Sequence, residues 1–291
     1  MRLLYLLAMF AIVSPLPAQT RPATSRAGTS DIAFDQRSPL SVLNMQVARY
    51  GVDRAKAEIY ETANEKFLLV VPTEYQNGAA GWGLMVWCNA GKGGRMPGQV
   101  ESLLAKKKLI GIGAYDAGND RGVAVRIGLM LDAVWNLKQR YALDEHRIYC
   151  GGVSGGSKCA EMAAMAFPDV FDGAICCAGA NWYKDVAVPN ERRKFWPQTF
   201  RKPPPPQFID AREHVGFVFT SGANDPNYAP VKATIEQGFT PEKFRHVEFY
   251  DVPGLGHRPP EGEWFEKAID YFDGLPKDRV KKQPATKPAH K

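Results

Sequence analysis

Short, solidly apolar runs alternate with segments of helical period along most of this chain of 291 residues. The runs "LMVWC" (84–88), "LIGIGA" (109–114) and "GFVF" (216–219) contain no charged residue. A strand without polar alternation is typical of a parallel sheet that helices cover on both faces. Residues 123–141 separate two such runs and place apolar side chains at helical spacing. The alternation predicts an α/β fold with a mostly parallel sheet.

The chain begins with a segment that has the layout of a secretory signal. In "MRLLYLLAMFAIVSPLPA" (1–18), Arg2 precedes an apolar stretch, and the small residue Ala18 closes a segment broken by prolines. The apolar stretch is shorter than the roughly 20 residues that span a bilayer. We therefore expect a cleaved signal peptide, no stable membrane insertion and a periplasmic or secreted bacterial protein. An uncleaved membrane anchor is the alternative.

The remaining residues are sufficient for one large domain, and no internal repeat or second linker divides them. Residues 19–64 are expected to form a lead-in and the first strand, and 65–275 the main domain. Within the latter, 181–213 are rich in Pro, Arg and Trp and are expected to form a short irregular cap. Residues 276–291, rich in Pro and Lys, are predicted to be a disordered basic tail.

The positive charge of the chain lies at its ends. The formal net charge is +6, of which Arg2 and residues 277–291 supply all, so that 19–276 are neutral overall. A nucleic-acid-binding protein carries its basic charge on the folded body. The distribution therefore predicts no nucleic-acid partner.

Four glycines surround one serine in "GGVSGG" (151–156), between an apolar run and an Ala-rich helical segment. A strand that turns sharply into a helix presents the turn residue above the sheet, and glycines two residues before and after it relieve the crowding. This pattern predicts that Ser154 is a nucleophile. The alternative is a structural or phosphate-binding turn, but the Gly-Lys-Ser/Thr ending of a phosphate loop is absent.

A nucleophilic serine needs a base, and the base needs an orienting carboxylate. His257 lies in the loop "PGLGHRPP", which follows the last apolar run and precedes the last helical segment. Asp225 follows the strand-like run 216–221, so the order Ser154, Asp225, His257 matches the order in hydrolases that carry this turn. Asp185 is the rival acid.

The oxyanion that forms during attack on a carbonyl needs two hydrogen-bond donors. The N–H of Gly155, directly after the serine, is one candidate. The other is expected from the loop after "LMVWC", at Ala90 or Gly91. The sequence leaves the choice between these two open.

The segment "DEHRIYCGGVSGGSKCAEMAAMAFPDVFDGAICCAG" (144–179) resembles secreted bacterial esterases of the polyhydroxybutyrate-depolymerase and feruloyl-esterase type, within the α/β-hydrolase superfamily. The shared features are an Asp-x-x-Arg start, the Gly-x-Ser-x-Gly turn and a Pro-Asp-x-Phe helix end, and the resemblance runs from about Glu65 to Gly274. It implies a mostly parallel eight-stranded sheet with helices on both faces, a Ser-His-Asp triad, and ester hydrolysis without a cofactor or metal. Asn89-Ala90 replaces the usual His-Gly pair, so the substrate is not carried over.

The cap-like stretch offers candidate substrate contacts. Trp182 and Trp196 are expected to form an apolar or sugar-stacking wall, and Arg192 to bind a carboxylate. Alternatively, the aromatic rings belong to a small core cluster and the charges to a solvated face. The five cysteines (88, 150, 159, 176, 177) are compatible both with disulfides and with buried free thiols.

These features predict an exported serine hydrolase that cleaves a small-molecule or polysaccharide-linked carboxylic ester. A peptidase of the same fold is one alternative. A non-catalytic envelope protein that binds a polysaccharide or a partner on a hydrolase fold is another, because the fold alone does not establish a function. The sequence does not indicate an oligomeric state.

Overall fold

A computed structural model describes residues 27–76, 79–279 and 281. The predicted signal peptide (1–18) and the last ten residues of the predicted tail lie outside the described residues. No helix in the described part of the chain is long and apolar enough to cross a membrane.

A sheet of eight strands forms the centre of the fold. In chain order, these strands are β1 (Gly28–Ala33), β2 (Lys66–Val71), β3 (Gly83–Cys88), β4 (Leu109–Ala114), β5 (Ile148–Val153), β6 (Gly173–Cys177), β9 (Gly216–Ser221) and β10 (Val247–Asp251). A separate hairpin consists of β7 (Val186–Ala187) and β8 (Phe195–Trp196). In space the large sheet has the order β1-β2-β4-β3-β5-β6-β9-β10.

The sheet is mostly parallel, as the sequence predicted. Strand β2 is antiparallel to both of its neighbours, and every other pairing in the large sheet is parallel. All residues of β3 and β9 are buried, which explains the unbroken apolar runs 84–88 and 216–219 within them.

Helices cover both faces of the sheet. They are α1 (Leu43–Tyr50), α2 (Gly98–Glu101), α3 (Val123–Arg140), α4 (Gly155–Ala166), α5 (Pro205–His214), α6 (Tyr228–Thr234) and α7 (Gly262–Asp273). Alternate residues of β3 belong to two different core clusters: Leu84 and Val86 pack with residues of α3 and α4, while Met85 and Trp87 pack with residues of α2 and α7. The alternation reflects the two-residue period of a strand.

The lead-in is anchored to the main domain through a buried carboxylate on α3. Asp132 accepts hydrogen bonds from Ser38 N (2.7 Å), Ser41 Oγ (2.6 Å), Tyr60 OH (2.7 Å) and Thr62 Oγ1 (2.9 Å). Burial raises the pKa of Asp132, although these four donors favour the carboxylate. Residues 38–62 therefore belong to the same folded unit as the sheet.

Two of the motifs that carry the family resemblance have structural roles. Arg147, from the Asp-x-x-Arg start, forms a two-pronged ion pair with Asp273 at the end of α7 (2.7 and 2.8 Å). Asp169, from the Pro-Asp-x-Phe helix end, forms a similar pair with Arg49 of α1 (3.0 Å for both bonds). Both pairs connect segments that are more than 100 residues apart in sequence.

The expectation of a disordered tail from residue 276 is wrong for its first residues. Arg279 Nη2 donates to Asp172 Oδ1 (2.7 Å), and Lys281 Nζ donates to Asp172 Oδ2 (2.6 Å). Both basic side chains are less than 10% exposed. Burial lowers the pKa of Lys281 to about 8, against the opposing effect of the Asp172 carboxylate. A partly buried carboxylate on the main domain thus binds residues whose composition suggested a solvated tail.

Candidate active site

Ser154 lies at the turn between β5 and α4. Its backbone has φ 57° and ψ −118°, a conformation that residues other than glycine rarely adopt. The Ser154 N–H donates to Cys177 O of β6 (2.8 Å), and its carbonyl accepts from Lys158 N in the first turn of α4 (3.2 Å). The strained turn is therefore held on both sides, by the sheet and by the helix.

The glycines around Ser154 are required by direct backbone contacts. A methyl group on Gly152 would lie 2.4 Å from the carbonyl carbon of Gly156, so the two glycines of the motif touch each other. A methyl group on Gly156 would lie 1.9 Å from Cys88 O, at the end of β3. Any larger residue at either position would push the turn away from the sheet. The same contact brings the loop after β3 directly against the start of α4.

The loop after β3 is the expected source of the second oxyanion donor, and side chains fix its shape. Asn89 Nδ2 donates to Gly93 O (2.6 Å) and to Arg95 O (3.0 Å) across the loop. Arg126 of α3, which is buried, donates to Asn89 O (2.8 Å) and to Ala117 O (2.9 Å). Arg126 was not identified from the sequence. The feature that could have identified it is a basic residue within the mostly apolar helical segment that precedes the serine turn.

The loops after β9 and β10 bring Asp225 and His257 together. His257 Nδ1 lies 2.9 Å from Asp225 Oδ1. A carboxylate only accepts hydrogen bonds, so Nδ1 carries the hydrogen and the other ring nitrogen, Nε2, is free to accept one. The Asp225 side chain is fully buried, and that of His257 is 39% exposed. The pair thus combines a fixed acceptor with a ring that solvent can reach.

Two further donors fix the Asp225 carboxylate. Ser221 Oγ donates to Oδ2 (2.8 Å), and Asn227 N donates to Oδ1 (2.9 Å). Asp185, the rival acid, is exposed and accepts from Gln198 N in the cap-like stretch (2.8 Å). Among the two candidates, Asp225 is therefore the carboxylate that contacts His257.

A short bridge connects the acid loop to the serine turn. Asn227 Nδ2 donates to Ala178 O just after β6 (2.8 Å). The next residue, Gly179, lies against the serine backbone, because a methyl group there would come within 2.6 Å of Ser154 O. Parallel strands end at the same edge of a sheet, so β5, β9 and β10 all direct their following loops to this edge. The three predicted triad residues lie on those three loops.

The predicted substrate contacts in the cap-like stretch have different outcomes. Trp182 is only 3% exposed and packs against Tyr183, Phe239 and Phe244, so the expectation of a substrate wall at this residue is wrong. Two of these neighbours, Phe239 and Phe244, are more than 50 residues away in the sequence. Trp196 lies partly buried in β8, and Arg192 is exposed in the turn between β7 and β8. Their contact with a substrate remains a prediction.

The five cysteines are free thiols, and all are buried. Within the described part of the chain, no three His, Cys, Asp or Glu side chains are grouped so that they could hold a metal ion.

A buried carboxyl group supports the segment behind the serine turn. Glu161 on α4 is fully buried, and its Oε2 accepts from Asn181 N (2.7 Å). Its Oε1 has no hydrogen-bond partner among the described residues. Burial raises the pKa of Glu161 well above its usual range. The group therefore stays protonated in the folded protein under conditions in which it ionises in the unfolded chain.

This difference predicts a pH-dependent effect of Glu161→Gln. A raised folded-state pKa stabilises the fold fully below the unfolded value of about 4.3, and the stability falls as pH rises toward the folded value. Gln cannot ionise, so the unfolding free energy of the variant should rise relative to that of the parent, by up to about 1.4 kcal/mol per pH unit. Urea unfolding between pH 5 and 8 measures the difference. The exposed Glu236→Gln is the control, and parallel curves for parent and Glu161→Gln would refute the prediction.

No protein-family model and no curated protein sequence matches this chain. Solved structures do. An arylesterase has a TM-score of 0.53 at 12% identity, covering 88% of each chain. An S-formylglutathione hydrolase from Staphylococcus aureus has a TM-score of 0.52 at 12% identity, covering 85% of this chain and 96% of the other. A thermostable esterase has a TM-score of 0.50 at 16% identity, covering 84% of this chain and 63% of the other.

At these identities, the likeness concerns the fold. Together with the strand order and the single antiparallel strand within the large sheet, it shows that the described residues adopt the α/β-hydrolase fold. The fold expected from the sequence is thereby confirmed.

Proposed function

We propose that this protein is an exported serine hydrolase that cleaves carboxylic esters through an acyl-enzyme. The observation that carries the proposal is the 2.9 Å contact between His257 Nδ1 and the buried Asp225 carboxylate, on loops at the sheet edge where Ser154 is held in its strained turn. The esterases among the structural neighbours are consistent with it.

In the proposed acylation step, Ser154 Oγ attacks the ester carbonyl carbon while His257 Nε2 takes the hydroxyl proton. Asp225 holds the ring in the required tautomer and stabilises the imidazolium. The carbonyl oxygen becomes an oxyanion, which the N–H of Gly155 and that of Ala90 or Gly91 stabilise. The alcohol then leaves with the proton from His257, and the acyl group remains on Ser154.

Deacylation repeats these roles with water. His257 Nε2 takes a proton from water, whose oxygen attacks the acyl carbon, and a second tetrahedral intermediate forms at the same donors. Collapse of this intermediate breaks the bond to Ser154 Oγ, which regains its proton from His257. The products are a carboxylic acid and the unchanged enzyme, and no cofactor takes part in the proposed steps.

The proposal is tested with purified protein that lacks residues 1–18. It is offered p-nitrophenyl esters of increasing acyl length beside the matching p-nitroanilides, and we expect turnover of the esters. A fluorophosphonate probe should add one covalent adduct, which peptide mass spectrometry locates on Ser154. Turnover of anilides alone would favour a peptidase. Absence of both turnover and labelling would favour a non-catalytic binding protein.

Export is a separate part of the proposal, and it depends on the layout of residues 1–18. When the full-length chain is expressed in a bacterium, we expect a mature protein that begins at or near residue 19 in the periplasm or medium. An intact mass that still includes residues 1–18 would contradict cleavage.

A further inference from the structure

Gly155, the residue after the serine, has no side chain, and a side chain from another loop occupies the adjacent space. A methyl group on Gly155 would lie 2.0 Å from Asn119 Oδ1, 2.8 Å from Asn119 Cγ and 3.1 Å from Asn119 Nδ2. Such a methyl group would be about 1.5 Å from Gly155 Cα, so the Asn119 oxygen lies within about 3.5 Å of that atom. The backbone nitrogen of Gly155, whose N–H is an expected oxyanion donor, is bonded directly to this Cα atom.

The backbone around Asn119 is attached to the other side of the expected oxyanion site. Asn119 N donates to Ala90 O (2.8 Å). Gly118 lies against Gly91, since a methyl group on Gly118 would come within 3.0 Å of both the carbonyl carbon and the oxygen of Gly91. The Asn119 carboxamide is therefore positioned between Gly155 and the Ala90–Gly91 segment, which hold all three expected backbone donors.

The carboxamide itself has no partner within the described part of the chain. Asn119 is exposed, and neither its Oδ1 nor its Nδ2 takes part in a hydrogen bond with a described residue. Rotation about the terminal torsion of Asn exchanges the oxygen and nitrogen positions, and this torsion has a broad, roughly two-fold preference. The NH₂ group can therefore face Gly155 without breaking a bond to the protein.

We propose that Asn119 is a catalytic residue whose Nδ2–H donates a third hydrogen bond to the oxyanion. This inference rests on the proposed function. The backbone bond to Ala90 fixes where the residue sits, and the empty side-chain position of Gly155 gives the carboxamide access to the reacting carbonyl. A donor that is aimed at the developing negative charge stabilises the transition state more than the ground state.

The first test is Asn119→Ala, assayed with p-nitrophenyl acetate and butyrate. Loss of one oxyanion donor lowers kcat by roughly 10²–10³-fold in a known case; for a third donor we expect about 10–100-fold, equal for both acyl chains, with little change in KM. Binding of a trifluoromethyl ketone, which forms a tetrahedral oxyanion adduct, should weaken by a similar factor. An unchanged kcat would overturn the proposal. A loss of kcat for only one of the two esters would also overturn it, because it would indicate that Asn119 lines the acyl pocket.

The second test uses Gly155→Ala, alone and combined with Asn119→Ala. The added methyl group displaces the carboxamide, so we expect the single variant to lose about as much kcat as Asn119→Ala. In the Asn119→Ala background, the same methyl group should cost less than about threefold, because the two changes remove the same interaction. Equal losses in both backgrounds would contradict a shared effect.

Controls separate this proposal from the function on which it rests. Asn44→Ala, which removes an exposed amide on α1, should retain the parental kcat, and thermal unfolding of Asn119→Ala should match that of the parent. If the parent hydrolyses esters and Ser154→Ala does not, an unchanged Asn119→Ala refutes only the third donor. If the parent neither hydrolyses esters nor reacts with fluorophosphonate, both proposals fail.

Discussion

Ser154→Ala is expected to lower kcat for ester hydrolysis by at least about 10⁴-fold, because the acyl-enzyme cannot form without the hydroxyl. Alanine retains the Cβ atom, so the turn at φ 57° is as strained in the variant as in the parent. The fold should therefore be retained, and the loss should be purely chemical. Initial rates on p-nitrophenyl butyrate and fluorophosphonate labelling measure it.

Ser102→Ala is the matched control, since it removes an exposed serine hydroxyl at the end of α2. It should leave both rate and labelling unchanged. Hydrolysis by Ser154→Ala at the parental rate would show that Ser154 is not the nucleophile. Ser154→Gly adds a structural test: it also removes the hydroxyl, but glycine accepts a positive φ, so this variant should unfold at a higher temperature than Ser154→Ala.

Asp225→Ala is expected to lower kcat for ester hydrolysis by about 10⁴-fold. The variant loses the acceptor that fixes the His257 tautomer and the charge that stabilises the imidazolium. It also leaves Ser221 Oγ and Asn227 N without their present acceptor. The measurement is kcat on the same ester, with KM as the internal reference, because ground-state binding should change little.

Asp225→Asn separates orientation from charge. Its oxygen can take the Oδ1 position, where it accepts from both Asn227 N and His257 Nδ1. Its NH₂ group can then face Ser221 Oγ, which is able to accept. The ring stays in the required tautomer but the negative charge is gone, so we expect a smaller loss of kcat than for Asp225→Ala. A loss as large as that of Asp225→Ala would show that the amide is held in the opposite orientation. Parental activity in both variants would refute Asp225 as the triad acid.

The sequence carried enough information to predict the sheet and to place the three proposed triad residues after its strands. Strands such as β3 and β9 are buried on both faces, so the runs 84–88 and 216–219 within them are apolar throughout. Ser154, Asp225 and His257 each follow a strand, and parallel strands end at one edge. These features depend only on the local sequence and on the direction of each strand, which is why they can be predicted without a structure.

The features that the sequence did not predict depend on contacts between distant segments. Asn119 reaches Gly155 because a glycine there leaves space, yet many residues from other loops could have filled that space. Trp182 is aromatic in either role, and only its burial against Phe239 shows that it belongs to the core. The composition around Lys281 suggests a solvated tail, and its burial follows from an ion pair with Asp172, which lies more than 100 positions earlier in the chain.

The buried thiols determine how the chain must mature if it leaves the cytoplasm. Folding encloses all five cysteines on the central strands and on α4, where they are protected from oxidants. Every one of them is exposed in the unfolded chain, and an odd number of thiols cannot be fully paired within one molecule. In an oxidising compartment, formation of the sheet therefore competes with formation of disulfides. A disulfide that forms before folding prevents these cysteines from packing in the core. Recovery from denaturant should accordingly improve with added reductant, in contrast to exported proteins that are stabilised by disulfides.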